Sequence, residues 1–188
     1  MYGLINKAIK ALVCSSYGEK HWNKLHKAAN VDNDFFIGIE MYPDKLTYDL
    51  VSQAPDILGI SSEAFLKEIG EYWVYYVGEG DCSYIFNLAG NNFVSFLESL
   101  NAIHSRASVL FPALTPPTFH CVDIEATSLR LEYYSKRKGL APMVIGMMQG
   151  LGRWFDTRVD IQQEKCKTSD AGCDVFFIKF CPNTGDNI

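Results

Sequence analysis

Apolar residues recur at Leu4, Ile5, Ala8, Ile9, Leu12 and Val13 along LINKAIKALVCSSYG, a helical spacing that Gly18 stops. A second helix follows at once in EKHWNKLHKAA. PDKLTYDLVSQAPDIL and SSEAFLKEIGEYWVYYV predict two more, the latter with Ser61 or Ser62 as its cap. A turn-rich stretch, GEGDCSYIFNLAGNN, leads into another helical pattern, FVSFLESLNAIHSRASVLF. From there the period changes. TFHCVDIEAT and SLRLEYYSK alternate as strands, GLAPMVIGMMQGLGRWF is helical, and TRVDIQQEKC and CDVFFIKF alternate again. Two hairpin-like pairs bracketing one helix predict an antiparallel four-stranded sheet with helices on a face. The fold class is α+β, one domain over 1–181. Its helical lobe covers about 1–60 and its mixed lobe about 61–181, with a polar tail at 182–188.

Two positions break these patterns. Phe93, Phe96, Leu97, Leu100, Ile103, Ala107, Leu110 and Phe111 form an apolar helical stripe, and His104 sits inside it. A lone histidine on an apolar face is most often a core residue satisfied by a carbonyl. The alternative is an axial ligand, a neutral imidazole aimed at a metal inside the core. Further on, LRLEYYSKRKGL puts Leu129, Leu131, Tyr133, Ser135 and Arg137 on one strand face. That face begins apolar and ends in a row of three donors. Read as strand, those donors span about 13 Å, enough to serve two carboxylates. A solvated strand end with a surface arginine is the plainer reading. Haem would reconcile both features, being a flat apolar disc with two propionates that needs one axial base.

Composition narrows the classes. A chain of 188 residues, 48% hydrophobic, can bury a core as one domain. Its net charge of −5, with acids and bases interspersed, argues against nucleic acid as the main partner. The sequence has neither an apolar run of 18 residues nor a secretory leader, so no membrane span is expected. Six irregularly spaced cysteines do not form a disulfide framework, and a reducing cytoplasm is the simplest compartment.

Tyr133-x-Ser135-x-Arg137, preceded by His104 and TPPTF, resembles the haem nitric-oxide/oxygen binding family (H-NOX), which includes the haem domain of soluble guanylate cyclase. The likeness extends over nearly the whole chain, through MYGLINKAIKALV, YGEKHW, LTYDLV, GEYW, LNAIH and GLAPMVIGMMQGLG. It implies haem b buried between the lobes, with His104 as axial iron ligand and Tyr133, Ser135 and Arg137 as propionate clamp. It implies that Pro117 presses on the porphyrin, and that nitric oxide cleaves the iron–His104 bond to drive a change of shape. Oxygen-binding members carry a distal tyrosine on the helix after the clamp. Here that turn reads Ala141, Pro142, Met143, with Met147 one turn on, and neither thioether can donate. The other distal wall, by resemblance, is Ile5, Ile9 and Trp73, with Tyr72 pointing about 100° away. The hydroxyl of Tyr2 cannot be placed from sequence. The implied ligands are nitric oxide and carbon monoxide, without stable oxygen.

The expected role is therefore that of a sensor, not an enzyme, acting on a histidine kinase, a cyclase or a diguanylate cyclase in trans. No output domain follows Phe180. The alternatives are a haem-dependent redox enzyme, a haem-domain fragment of a guanylate cyclase, and a haem-free interaction module. A peroxidase needs an acid–base group over the distal face, and no His or Arg is assignable there. Cys166 and Cys173 suggest half a zinc site, but no third ligand matches. By resemblance Cys121 is an oxidisable thiol close to the haem; the plainer reading of a buried thiol is inert packing. His21, His26 and His120 read as surface residues, and Gly146 and Gly150 as small residues permitting close helix packing.

Overall fold

A computed structural model of the chain describes residues 1–31, 35–80, 83–87, 89–167 and 172–182. Of the expected tail, Pro182 closes the last strand and 183–188 lie outside the described residues.

The first four helices arise where periodicity predicts them. Helix α1 (Gly3–Ser16) buries Ala8, Ile9, Leu12 and Val13, and Gly18, at φ 88°, turns the chain into α2 (Glu19–Ala28). Helix α3 (Asp44–Leu58) ends on left-handed Gly59, and α4 (Ser62–Gly78) is capped by Ser61, whose hydroxyl accepts from Ala64 N. The turn-rich stretch holds one short helix that periodicity does not show, α5 (Tyr84–Asn87). In α6 (Phe93–Leu110), Asn92 and Ser95 form a reciprocal capping box.

The sheet contains β1 (Thr118–Val122), β2 (Ser128–Tyr134), β3 (Thr157–Lys165) and β4 (Asp174–Pro182), with α7 (Ala141–Trp154) between the hairpins. Its order is β1-β2-β4-β3, antiparallel throughout. Leu129, Leu131 and Tyr133 of β2 and Phe176, Ile178 and Phe180 of β4 are buried on one face. Two strands are shorter than their alternation suggests. β1 stops before Asp123, which takes a left-handed φ of 49°. β2 stops at Tyr134, so Ser135 and Arg137 lie in a bend beyond the strand. The strand-face geometry expected for those two residues is therefore corrected: the Ser135 hydroxyl accepts from Arg137 N (3.1 Å), a local turn that competes with the ladder.

Two apolar clusters form. One gathers α1, α2, α3 and the first half of α4; the other gathers the sheet, α6, α7 and Val74 of α4. Helix α4 thus serves both. It is pressed onto α7 by glycines: a side chain at Gly70 would meet the Met143 carbonyl, and one at Gly146 the Lys67 carbonyl. This close approach brings Trp73 of α4 and Met143 and Met147 of α7 to one cavity.

Candidate functional site

The cavity, of about 320 Å³, takes its walls from both clusters. The residues assigned from sequence to the iron ligand, the clamp, the porphyrin contact and the distal wall all line it: Tyr2, Ile5 and Ile9 from the N-terminal segment, Trp73, His104, Pro117, the Tyr133, Ser135 and Arg137 series, and Met143 and Met147. Its size falls within the usual range for small-molecule sites, and its lining is overwhelmingly apolar.

His104 is held in one state. Its Nδ1 lies 3.0 Å from the Pro117 carbonyl, which can only accept, so Nδ1 carries the proton and Nε2 keeps a lone pair. Burial pushes the imidazole pKa below its ordinary value, more than the Pro117 bond raises it. Nε2 has no hydrogen-bond partner among the described residues. The geometry depends on Asn101, one turn earlier on α6. Its side-chain amide donates to Phe119 O (2.6 Å) and accepts from Phe119 N (3.0 Å). That staple fixes β1 against α6 and sets the Pro117 carbonyl at the imidazole. Sequence reasoning passed over Asn101; a polar residue between Leu100 and Ile103 of the apolar stripe was the available signal.

The polar edge is formed at the end of β2. Tyr133 is buried, its ring 5.3 Å from that of Phe119, and burial raises its pKa, keeping a phenol proton to donate. Ser135 Oγ accepts from Arg137 N, and its hydroxyl hydrogen-bonds the Tyr133 side chain, so the two hydroxyls form one polar unit. Arg137 departs from expectation, because a protein carboxylate already engages it. Nε and Nη2 donate to Asp44 (2.8 and 3.5 Å) and Nη1 to Thr115 O (3.0 Å). A guanidinium carries five N–H donors, so one remains on each terminal nitrogen. Asp44 opens α3 and also accepts from the N-terminal ammonium, which donates to Tyr42 O as well (2.6 Å). Burial alone would raise the Asp44 pKa, but these hydrogen bonds and charges outweigh it and hold the carboxyl below its usual range. Asp44 sits 93 residues from Arg137, and nothing in its local sequence announces the pairing.

Around the remaining wall, donors are scarce. Ile5, Ile9, Met143 and Met147 offer none. Thr47 reaches the cavity, but its hydroxyl donates to Asn6 Oδ1 (2.8 Å), and Tyr48 donates to Lys138 O (3.0 Å). Tyr2 is now placed. Its hydroxyl accepts from Ala113 N (3.2 Å) and its ring packs edge-on against Phe111 at 5.0 Å, so it belongs to the connection after α6. Tyr72 packs with Tyr76 and does not line the cavity. Trp73 keeps the indole N–H as the wall's other donor.

The other candidates fall away from this place. His120 is exposed, while His21 and His26 are half-buried beside Tyr17 and Trp22 rather than on the surface. Cys166 is exposed and Cys173 buried, and no cluster of three His, Cys, Asp or Glu exists among the described residues. The Cys121 thiol is pushed up to about 11 by burial and then by Glu98, which disfavours the reactive thiolate. No helix among the described residues is long and apolar enough to cross a membrane.

This donor set fits a large flat apolar molecule with anionic groups along one edge. An open imidazole nitrogen faces an apolar space, and a hydroxyl, a phenol and a partly committed guanidinium meet the edge.

Comparisons with known proteins agree. The family model for haem-NO-binding matches residues 2–163. The soluble guanylate cyclase gcy-31 of Caenorhabditis elegans is 28% identical over 163 residues, 86% of this chain and 23% of its own length. The soluble guanylate cyclase gcy-35 of the same organism is 30% identical over 182 residues, 91% of this chain and 26% of its own length. The chain thus spans about a quarter of these relatives. The fold superposes on the crystal structure of an H-NOX protein from S. oneidensis in the Fe(II)NO ligation state. That match has a TM-score of 0.86 at 17% identity and covers 96% of this chain and 99% of the other.

Proposed function

The chain belongs to the haem-NO-binding family, and on that premise we propose that it is a gas sensor: it holds haem b through His104, admits nitric oxide and carbon monoxide but not stable oxygen, and controls a signalling partner by releasing His104. The observation that carries this reading is the neutral imidazole, with Nδ1 committed to Pro117 O and Nε2 open toward an apolar cavity. When bound, haem would supply an iron that takes diatomic gases.

The chain's own residues do the rest. Tyr133, Ser135 and Arg137 hold the propionates; Ile5, Ile9, Met143 and Met147 exclude water from the gas-binding side. Stable oxygen binding calls for a donor to the partial negative charge on the ligand, and the hydroxyls of Thr47 and Tyr48 are already committed elsewhere. The same poverty of acid–base groups argues against a peroxidase. Pro117 contributes rigid bulk beside the haem.

Were haem held through His104, that residue would couple the bound group to α6. Because Nδ1 and Asn101 tie α6 to Pro117 and Phe119, the connection moves with the helix. That connection is held by Tyr2 from the helical side, at Ala113 N, and by Arg137 from the sheet side, at Thr115 O. A shift there alters how the lobes sit, a two-state element that a gas can bias. The partner is a histidine kinase, a cyclase or a diguanylate cyclase, in trans or within a longer chain. The test is spectroscopic. The ferrous protein should bind carbon monoxide with His104 retained, lose His104 with nitric oxide, and stay unchanged in air. Retention of His104 with both gases, and equal effects of both on the partner, overturns the reading.

A further inference from the structure

The charge balance at the polar edge is unfavourable to an anionic ligand when only Arg137 and its neighbours are counted. Arg137 and the N-terminal ammonium share one carboxylate, Asp44. A second carboxylate, Asp174, is only 8% exposed and lies directly opposite Tyr133 across the β2–β4 ladder. After burial, its charge is the next influence raising the Tyr133 pKa, apart from an opposing bond to Ser135. Its Oδ1 accepts from Gln163 Nε2 (2.8 Å) and Lys167 N (3.0 Å), both neutral donors. With these two cations set against two carboxylates, a dianionic edge entering here would meet no net positive charge.

One cation corrects this balance. Lys167, just after β3, is fixed through its backbone N–H on Asp174, and its ammonium donates to the carbonyl of Ser135. The ammonium therefore stands beside the clamp serine, half-buried, with further N–H groups to give. We propose that Lys167 is a second cation of the propionate site, serving one carboxylate of the cofactor while Arg137 serves the other. This rests on the haem reading above. Nothing in the Tyr-x-Ser-x-Arg pattern points to it, because it lies 32 residues beyond Ser135.

A purely structural staple makes a different prediction, since a neutral amide can also donate to Ser135 O. The experiment uses Lys167→Gln and Lys167→Arg, haem and its propionate dimethyl ester, and haem transfer to a scavenging globin. Lys167→Gln should lose haem roughly three- to tenfold faster, the effect of a screened charge-assisted contact, and Lys167→Arg should keep the wild-type rate. With the dimethyl ester, the Gln variant and wild type should converge. The ferric/ferrous midpoint should fall in Lys167→Gln only, because a nearby positive charge favours the less positive ferrous haem. Equal haem loss and equal midpoints in Lys167→Gln and wild type overturn the proposal. So does a Gln effect of the same size with the ester. Failure of the wild type itself to take up haem would instead overturn the haem reading.

Discussion

His104 and Pro117 are joined: the imidazole Nδ1 donates to the proline carbonyl across 3.0 Å. The residue that would hold the iron and the residue that would press on the porphyrin form one unit. A carbonyl bonded to one ring nitrogen in this way fixes both the tautomer and the ring orientation. Any motion of α6 is therefore felt directly at Pro117.

Asn101 maintains that unit, and its loss should be measurable without cofactor. Asn101→Ala removes two hydrogen bonds and leaves the Phe119 N–H and C=O without their partner. The apoprotein should lose about 2–3 kcal/mol, read from urea unfolding midpoints. An unchanged midpoint would mean that the staple does not fix β1 on α6.

Acid should weaken the apoprotein through His104. Its folded pKa is depressed, chiefly by burial, so the folded state favours the neutral ring. The unfolded chain takes up the proton near pH 6.5, so the contribution is fully present above about 6.5 and declines as pH falls from there toward the folded pKa. Asp44 is also depressed, but its window lies below about 4. Between pH 7 and 5, wild-type unfolding midpoints should fall more steeply than those of His104→Leu. Parallel slopes would contradict the burial of a neutral imidazole.

The clamp residues should rank by charge. Arg137→Ala removes a charge-assisted donor, about 1.5–3 kcal/mol, whereas Tyr133→Phe and Ser135→Ala each remove a neutral one, about 1. Haem loss to a scavenging globin should be fastest in Arg137→Ala, the more so because Asp44 is then left facing the site. A wild-type rate in Arg137→Ala would show that the bend beyond β2 does not hold propionates.

Gas selectivity turns on Met143. The ferrous wild type should keep its spectrum in air, and Met143→Tyr should introduce at least partial oxygen affinity by adding a hydroxyl to the cavity wall. A stable oxygen spectrum in the wild type would show that Trp73 or Tyr2 donates after all.

Much of this was legible in sequence because the signals are local. The helices declare themselves by period and caps, and His104 and the Tyr133–Arg137 series stand out as polar residues where apolar ones belong. The misreadings are equally physical. Alternation carried β2 through Arg137, but the Ser135–Arg137 turn ends the ladder and swings the guanidinium toward α3. Helix α5, at 4 residues, is too short for periodicity to reveal. The β2–β4 pairing that joins the two hairpins, and the partnerships of Asp44 and Lys167, are long-range and carry no local mark.

The central claim, that His104 is the axial base of a haem held in this cavity, is tested most directly by the absorption spectrum of ferrous His104→Gly with and without free imidazole. The account predicts that the variant folds, still takes up haem through its apolar walls and clamp, loses the wild-type ferrous spectrum, and regains it when imidazole is added. A variant whose ferrous spectrum matches wild type without imidazole would contradict it.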